Sequence, residues 1–241
     1  MSKVYADKIE PRDSSMDVTI GTSTNTVTLA GNDLRSNTVK DSGGNTLWTS
    51  DGSGNLSSVN SALAGNLKLL TTNTFTGSSS SSFTSLIDST YDVYVFKFYD
   101  CNPATDDVNF VFNGSSDGGS NYNVTKTTTA MYSHHDEADS YSGFNYTTSA
   151  DLAQSTAYQP LSGGIANDAD ASVVGEIYLF NPSGTTYVKH FSIYTSAYKN
   201  DSANNLTFYA GYFNTTSAIN ALDFKFASGV FDGEIKMYGL L

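Results

Sequence analysis

Residues 91–99 read Tyr-Asp-Val-Tyr-Val-Phe-Lys-Phe-Tyr, and the alternation in that stretch decides the fold class. Successive side chains of an extended chain point to opposite faces. Tyr94, Phe96 and Phe98 therefore share one face, and Val93, Val95 and Lys97 share the other. Residues 107–113 repeat the pattern, with Val108, Phe110 and Phe112 opposite Asn109, Val111 and Asn113. The same alternation predicts strands over 172–180, 186–195, 205–213, 219–226 and 233–238, each bounded by turn chemistry such as Asn113-Gly114, Asn181-Pro182-Ser183-Gly184 or Asp232-Gly233. Strands at this spacing predict an all-β head, a two-sheet and jelly-roll-like β-sandwich, rather than a helical or βαβ fold. Several strands are apolar on both faces, and cover by another subunit is the expected reason.

Upstream the composition changes. Only four aromatic residues (Tyr5, Trp48, Phe75 and Phe83) precede position 90, and twenty-seven follow it. The front is rich in Ser, Thr, Asn and Gly and cannot build a core alone, so its burial is expected to come from other copies of the chain. This divides the protein into residues 1–66, an attachment segment and extended intertwined stalk, and residues 67–241, the C-terminal head. Residues 17–29 and Thr46-Leu47-Trp48 read as short strands. Asp51-Gly52-Ser53-Gly54-Asn55 faintly resembles a calcium loop but lacks the downstream glutamate, so a turn is expected.

From about residue 55 the period changes. Leu56, Val59, Leu63, Leu67 and Leu70 are spaced by three, four, four and three residues, which predicts a short helix with an apolar stripe. The stripe is read either as a coiled-coil seam between chains or as one amphipathic helix at the base of the head, with Gly65 and Asn66 able to end it early. The serine run at 77–82 leaves room for a flexible segment. Residues 115–170 read as a long insertion.

The chain carries 12 basic and 24 acidic side chains among 241 residues, a formal net charge of -12, and the acidic excess lies mainly after position 90. A nucleic-acid partner is not expected, because counterion release needs clustered Lys and Arg. The single cysteine, Cys101, rules out an intrachain disulfide and is expected as a small buried hydrophobe. The opening residues have no apolar h-region, and no stretch approaches the roughly 18 apolar residues of a membrane span, so folding in a cytoplasm without membrane insertion is expected.

The densest polar constellation is Tyr132-Ser133-His134-His135-Asp136-Glu137-Ala138-Asp139. Adjacent histidines on an extended chain point to opposite faces, so an exposed acidic loop is expected there and no metal site. His190 is expected to be a packed histidine within its strand. Asp106-Asp107, Asp168/Asp170 and Asp232/Glu234 are acid pairs, but no nucleophile, phosphate-loop or metalloprotease motif accompanies them. No catalytic residue and no cofactor is expected. What remains is recognition chemistry within the insertion: Tyr122, Tyr132, Tyr141 and Tyr146, with His134, His135 and Asp136, are the candidate receptor contacts. Rings stack on sugar faces, and Asn and Asp hydrogen-bond to hydroxyls.

Residues 67–75 (LKLLTTNTF), the run 83–98 (FTSLIDSTYDVYVFKF), residues 179–191 (LFNPSGTTYVKHF) and residues 231–239 (FDGEIKMYG) together resemble virion structural proteins of marine tailed bacteriophages, the fibre-like or tail-fibre family. The opening, with Lys3, Val4, Tyr5 and Ile9, is similar to the N-terminal segments of that family. The resemblance implies a homotrimeric virion appendage, of tail or capsid, held to other virion proteins through those N-terminal residues. Leu56, Val59, Leu63, Leu67 and Leu70 would then be its trimer seam, and the head would be the distal end that meets a host-surface glycan or protein. A purely architectural decoration or tail-junction protein is the alternative, and a glycan-cleaving spike is a third reading.

Overall fold

The computed structural model describes residues 37–60 and 66–240. The chain divides into two compact units between Asn60 and Ser61. In the first, β1 (Thr38–Lys40), β2 (Thr46–Ser50) and β3 (Leu56–Val59) form an antiparallel meander. Its two turns use one device. Asp41 Oδ1 accepts the amides of Gly43 at 2.9 Å and Asn45 at 2.8 Å, and Asn45 Nδ2 donates to Asp41 Oδ2 at 3.0 Å. Asp51 grips the amides of Ser53 and Asn55 and the Asn55 side chain in the same way. These hydrogen bonds lower both carboxyl pKa values, led by the asparagine side chain. The segment 51–55 is therefore a turn, as expected.

The second unit contains twelve strands: β4 (Leu67–Ser78), β5 (Ser81–Phe83), β6 (Val93–Pro103), β7 (Val108–Ser115), β8 (Lys126–Asp136), β9 (Ser142–Tyr146), β10 (Gln159–Ile165), β11 (Val173–Phe180), β12 (Lys189–Lys199), β13 (Ala203–Phe213), β14 (Ala221–Phe226) and β15 (Phe231–Leu240). All pairings are antiparallel. A wide layer runs β4-β15-β6-β11-β12-β13-β8-β9, and a narrow layer runs β10-β7-β14-β5. One pair, Ile165 with Lys199, hydrogen-bonds the two layers into a single sheet that folds over on itself. The protein is all-β and sandwich-like, with no helix among the described residues.

The alternation in residues 91–99 builds the core. Tyr94, Phe96 and Phe98 face inward and are fully buried, as are Phe110 and Phe112 from the opposing layer. Phe224 on β14 sits at the centre, its ring centroid 5.6 Å from Phe96, 6.2 Å from Phe112 and 6.4 Å from Phe110. Offset and edge-to-face ring packing of this kind adds to the area the rings remove from water. Cys101 is completely buried, and burial pushes its thiol up to about 12.

Four expectations need correction. The segment from 55 to 70 holds no helix among its described residues: Leu56 and Val59 lie in β3, and Leu67 and Leu70 lie in β4. Leu67 and Leu70, three apart, fall on opposite sides of an extended strand. Leu67 is exposed, and Leu70 packs against the core. The β-branched run Thr71, Thr72, Thr74 and Thr76 favours extended backbone, and antiparallel pairing with β15 satisfies its peptide groups. Leu63 lies outside the described residues, as do Lys3, Val4, Tyr5, Ile9 and the strands expected over 17–29. The serine run at 77–82 belongs to β4, β5 and the turn between them. The insertion at 115–170 contains β8, β9 and β10.

His190 is exposed; its neighbour Lys189 is the buried residue. Lys189 Nζ donates to the carbonyls of Tyr187 at 2.6 Å and Thr216 at 3.3 Å. Lys126 does the same two strands away, reaching Ala157 O at 2.6 Å and Val124 O at 3.2 Å, and burial pushes its pKa down to about 8. In register the two lysines flank Phe213. Each ammonium ties down loop carbonyls.

Phe224→Ala is expected to cost about 3–5 kcal/mol of unfolding free energy, read as a lower urea midpoint. A loss below about 1 kcal/mol would contradict the central place of that ring. In the first unit, Asp51→Ala is expected to red-shift the emission of Trp48, the single tryptophan and a β2 residue, while leaving the near-UV signal of the head unchanged. An unaltered Trp48 spectrum would show that the aspartate clasp does not hold the meander.

Candidate functional site

The narrow layer ends at β10, while the wide layer continues through β13, β8 and β9. Two features cover part of that overhang. The hydroxyls of Thr195 and Thr207 donate to Leu161 O at 3.0 and 2.8 Å, seating β10 on β12 and β13. The segment after β9 then covers one end of β8: Gln159 Oε1 accepts from Thr128 Oγ1 at 2.7 Å, and Gln159 Nε2 donates to Ala150 O at 2.9 Å. Toward the other end of β8 the cover stops.

There an open groove of about 610 Å³ separates the inner face of β8 and β13 from β10 and the start of β7. Tyr132, His134, Asn205 and Tyr209 line the wide-layer wall, and Asp107, Asn109, Gly163 and Gly164 line the other. Lys199 and Asp201 close one end, in the β12–β13 turn. The Gly163–Gly164 pair lies where the β10 register slips against β7. Gly164 has φ +68°, a backbone conformation that favours glycine, and a Cβ at Gly163 would stand 2.9 Å from Asn109 Oδ1, so a side chain there would displace Asn109.

His134 is 7% exposed. Its Nε2 lies 3.9 Å from Asp201 Oδ2, and its ring meets the edge of Tyr141 at 5.0 Å. Lys199 Nζ stands 3.2 Å from Asp201 Oδ2. Asp136 is held in its turn by the amides of Ser140 and Tyr141, both at 2.9 Å, and by the Ser140 hydroxyl. These bonds lower its pKa, the Ser140 hydroxyl first, and they fix Tyr141 over the groove. Burial and the nearby Tyr132 push the Tyr209 hydroxyl up to about 12, so it remains a neutral donor. Asn205, also 7% exposed, presents an Oδ1 with no hydrogen-bond partner. A buried acceptor left unpaired costs stability, and this one lies in the groove wall.

Of the residues expected from sequence, Tyr132, His134, Asp136 and Tyr141 come together in this groove. Tyr122 does not: it folds over the 115–121 turn, where a Cβ on Gly119 would stand 2.7 Å from its hydroxyl. His135 points to the opposite face, 3.2 Å from Asp139, as the alternation requires. Tyr146 lies on that outer face too and donates to Asp151 Oδ2 at 2.6 Å. Asn109, Lys199, Asp201, Asn205 and Tyr209 were not anticipated, since nothing local in sequence links four separate strands and turns. Among the described residues no group of three or more His, Cys, Asp or Glu is placed to hold a metal ion, and no helix is long and apolar enough to cross a membrane. The groove offers tyrosine faces and edges, amide and carboxylate acceptors and one ammonium, which is the chemistry of polar ligand recognition. Comparison with family models, curated proteins and solved structures gives no match.

A carboxylate whose folded pKa is depressed stabilises its surroundings above its unfolded pKa and loses that effect as pH falls through the folded value. The Ser140 and Tyr141 amide resonances are therefore expected to hold down to the ordinary aspartate value of 3.8 and to move only below it. A midpoint at or above that value would contradict the Asp136 clasp.

Proposed function

We propose that the chain is a structural component of a phage virion: a homotrimeric, fibre-like appendage, anchored through its N-terminal residues, whose jelly-roll head contacts a host-surface glycan through the groove beside β8. The head is a binding module rather than an enzyme. The groove carries this reading, because it gathers Tyr132, Tyr141 and Tyr209 with Asn109, Asn205 and Asp201 in a space of about 610 Å³. That volume falls in the range of small-ligand sites. Rings and short acceptors in alternation suit the apolar faces and equatorial hydroxyls of a sugar, and the acidic surroundings disfavour an anionic one.

The jelly-roll reading is supported by strand order. With the hairpins β8–β9 and β12–β13 set aside, two sheets of four remain, β4-β15-β6-β11 and β5-β14-β7-β10. The chain passes from one layer to the other at β4–β5, β5–β6, β6–β7, β10–β11, β11–β14 and β14–β15, as an eight-stranded double Greek key does. The virion reading is supported by the resemblance of most of residues 67–239 to fibre-like proteins. Weak sugar contacts repeated on three heads would be strengthened by effective concentration. The architectural alternative, a decoration or junction protein without a receptor, draws on one observation: the outer face of the wide layer exposes Phe208, Tyr194 and Phe180.

Fluorescently labelled full chain is expected to adsorb to host cells and to lower adsorption of the phage, with soluble host polysaccharide competing. Tyr132→Ala combined with Tyr141→Ala is expected to reduce adsorption at least tenfold at unchanged far-UV circular dichroism. A folded chain that neither adsorbs nor blocks infection would overturn the receptor reading in favour of the architectural one.

A further inference from the structure

The inner face of the wide layer is accounted for by the core, the covering segment and the groove. The outer face is not. Read across the strands, Leu69, Tyr238, Val95 and Tyr178 follow one another in register over β4, β15, β6 and β11, with Leu69 exposed, the tyrosines half-buried and Val95 already covered. Tyr194, Phe208, Met131 and Tyr146 follow one another over β12, β13, β8 and β9. Tyr194 and Phe208 pack edge to face at 5.0 Å and are each 43% exposed, and Tyr146 is 52% exposed. An antiparallel sheet facing water alternates apolar with polar residues; this one carries large apolar side chains on both sides.

The charges in the middle of this face cancel. Lys97 Nζ lies 2.9 Å from Glu176 Oε2, and Lys236 Nζ lies 2.8 Å from Glu234 Oε1. The Lys236 ammonium also sits 5.1 Å from the Tyr99 ring centre. Two copies of a chain with net charge -12 repel each other over most of their surface. A neutral, ring-bearing face is where that repulsion is least and where burial gains most. Eight strands about 4.8 Å apart, each presenting roughly seven residues at about 3.3 Å, span on the order of 900 Å². Shared between two neighbours in a ring, that area gives roughly 450 Å² from each partner at each contact, a small interface that closure of the ring reinforces.

We propose that the outer face of the wide layer is the surface on which a second copy of this chain docks. The inference rests on the homotrimer reading above and names an interface within the head. The face has two halves, β4–β15–β6–β11 and β12–β13–β8–β9, each crossed by one row of apolar side chains, and the Lys97–Glu176 pair lies in the first, on β6 and β11. One half of each copy meets the unlike half of the next, a heterologous contact that closes into a ring of three.

Native mass spectrometry of the full chain is expected to give three times the 25.8 kDa chain mass. Tyr194→Glu combined with Phe208→Glu is expected to shift it to the single-chain mass, whereas Tyr187→Glu, at a 75% exposed loop position, leaves the trimer intact. Folding of each variant is read from the buried Cys101, whose thiol stays unreactive in a native head. A folded double variant that remains trimeric would overturn the assignment of this face while leaving the homotrimer standing. A wild-type chain that is monomeric at micromolar concentration would overturn both, and would point to a different protein as the occupant. If the double variant exposes Cys101, Leu206→Lys, a half-buried position on the same face, replaces it in the same assay.

Discussion

A layer of eight strands packed on a layer of four leaves half of its inner side without a partner sheet, and the placement of every functional group follows from how that excess is filled. Peptide groups on the overhanging strands are satisfied by neighbouring strands, but their inward side chains still need cover. The core phenylalanines cover β15, β6 and β12, with Phe110, Phe112 and Phe224 reaching across from the narrow layer. Around Phe213 and toward β8 the cover becomes polar and local. Lys126 and Lys189 bind loop carbonyls, Gln159 bridges to Thr128 and Ala150, and two threonines bond to a single carbonyl of β10. Where even that cover ends, the sheet holds a groove.

The polar cover is physically costly, which is what makes it informative. An ammonium group removed from water must recover its hydration from directed acceptors, and carbonyls at loop bends supply them without a neighbouring carboxylate. The exposed turns use the opposite arrangement: carboxylates of Asp41, Asp51 and Asp117 accept backbone amides and an asparagine side chain four residues on. For Asp117 the Asn121 and Ser115 side chains and backbone amides hold the carboxyl down at about 2. Asp-x-x-x-Asn thus recurs as a turn lock in both units of the chain.

Strands whose two faces differ sharply were legible from sequence. β6 and β7 are correctly phased because Tyr94, Phe96 and Phe98, and Val108, Phe110 and Phe112, recur at every second position. The leucine stripe misled because spacings of three and four satisfy a helical template while Thr71, Thr72, Thr74 and Thr76 carry the opposing local preference. β8 was read as a loop because its inward positions Lys126, Thr128 and His134 are polar; this strand lies at the margin of the hydrocarbon core, to which it contributes Ala130. Lys189 was hidden for another reason: it takes an inward position on β12, two residues before the core ring of Phe191, against the expectation that a lysine faces water. Half the groove was visible as the cluster around Tyr132 and His134. The other half, from Asp107 to Tyr209, depends on tertiary pairing that no local signal encodes.

We propose that the wide layer has two unlike faces, one open to ligand and one covered by another copy of the chain. Hydroxyl-radical footprinting of the intact full-length protein measures both at once. Tyr132 and Tyr141 in the groove are predicted to be modified readily, and Tyr194 and Phe208 to be protected at least fivefold relative to Tyr187 on its exposed loop. Modification of Tyr194 and Phe208 as fast as Tyr187 would contradict it.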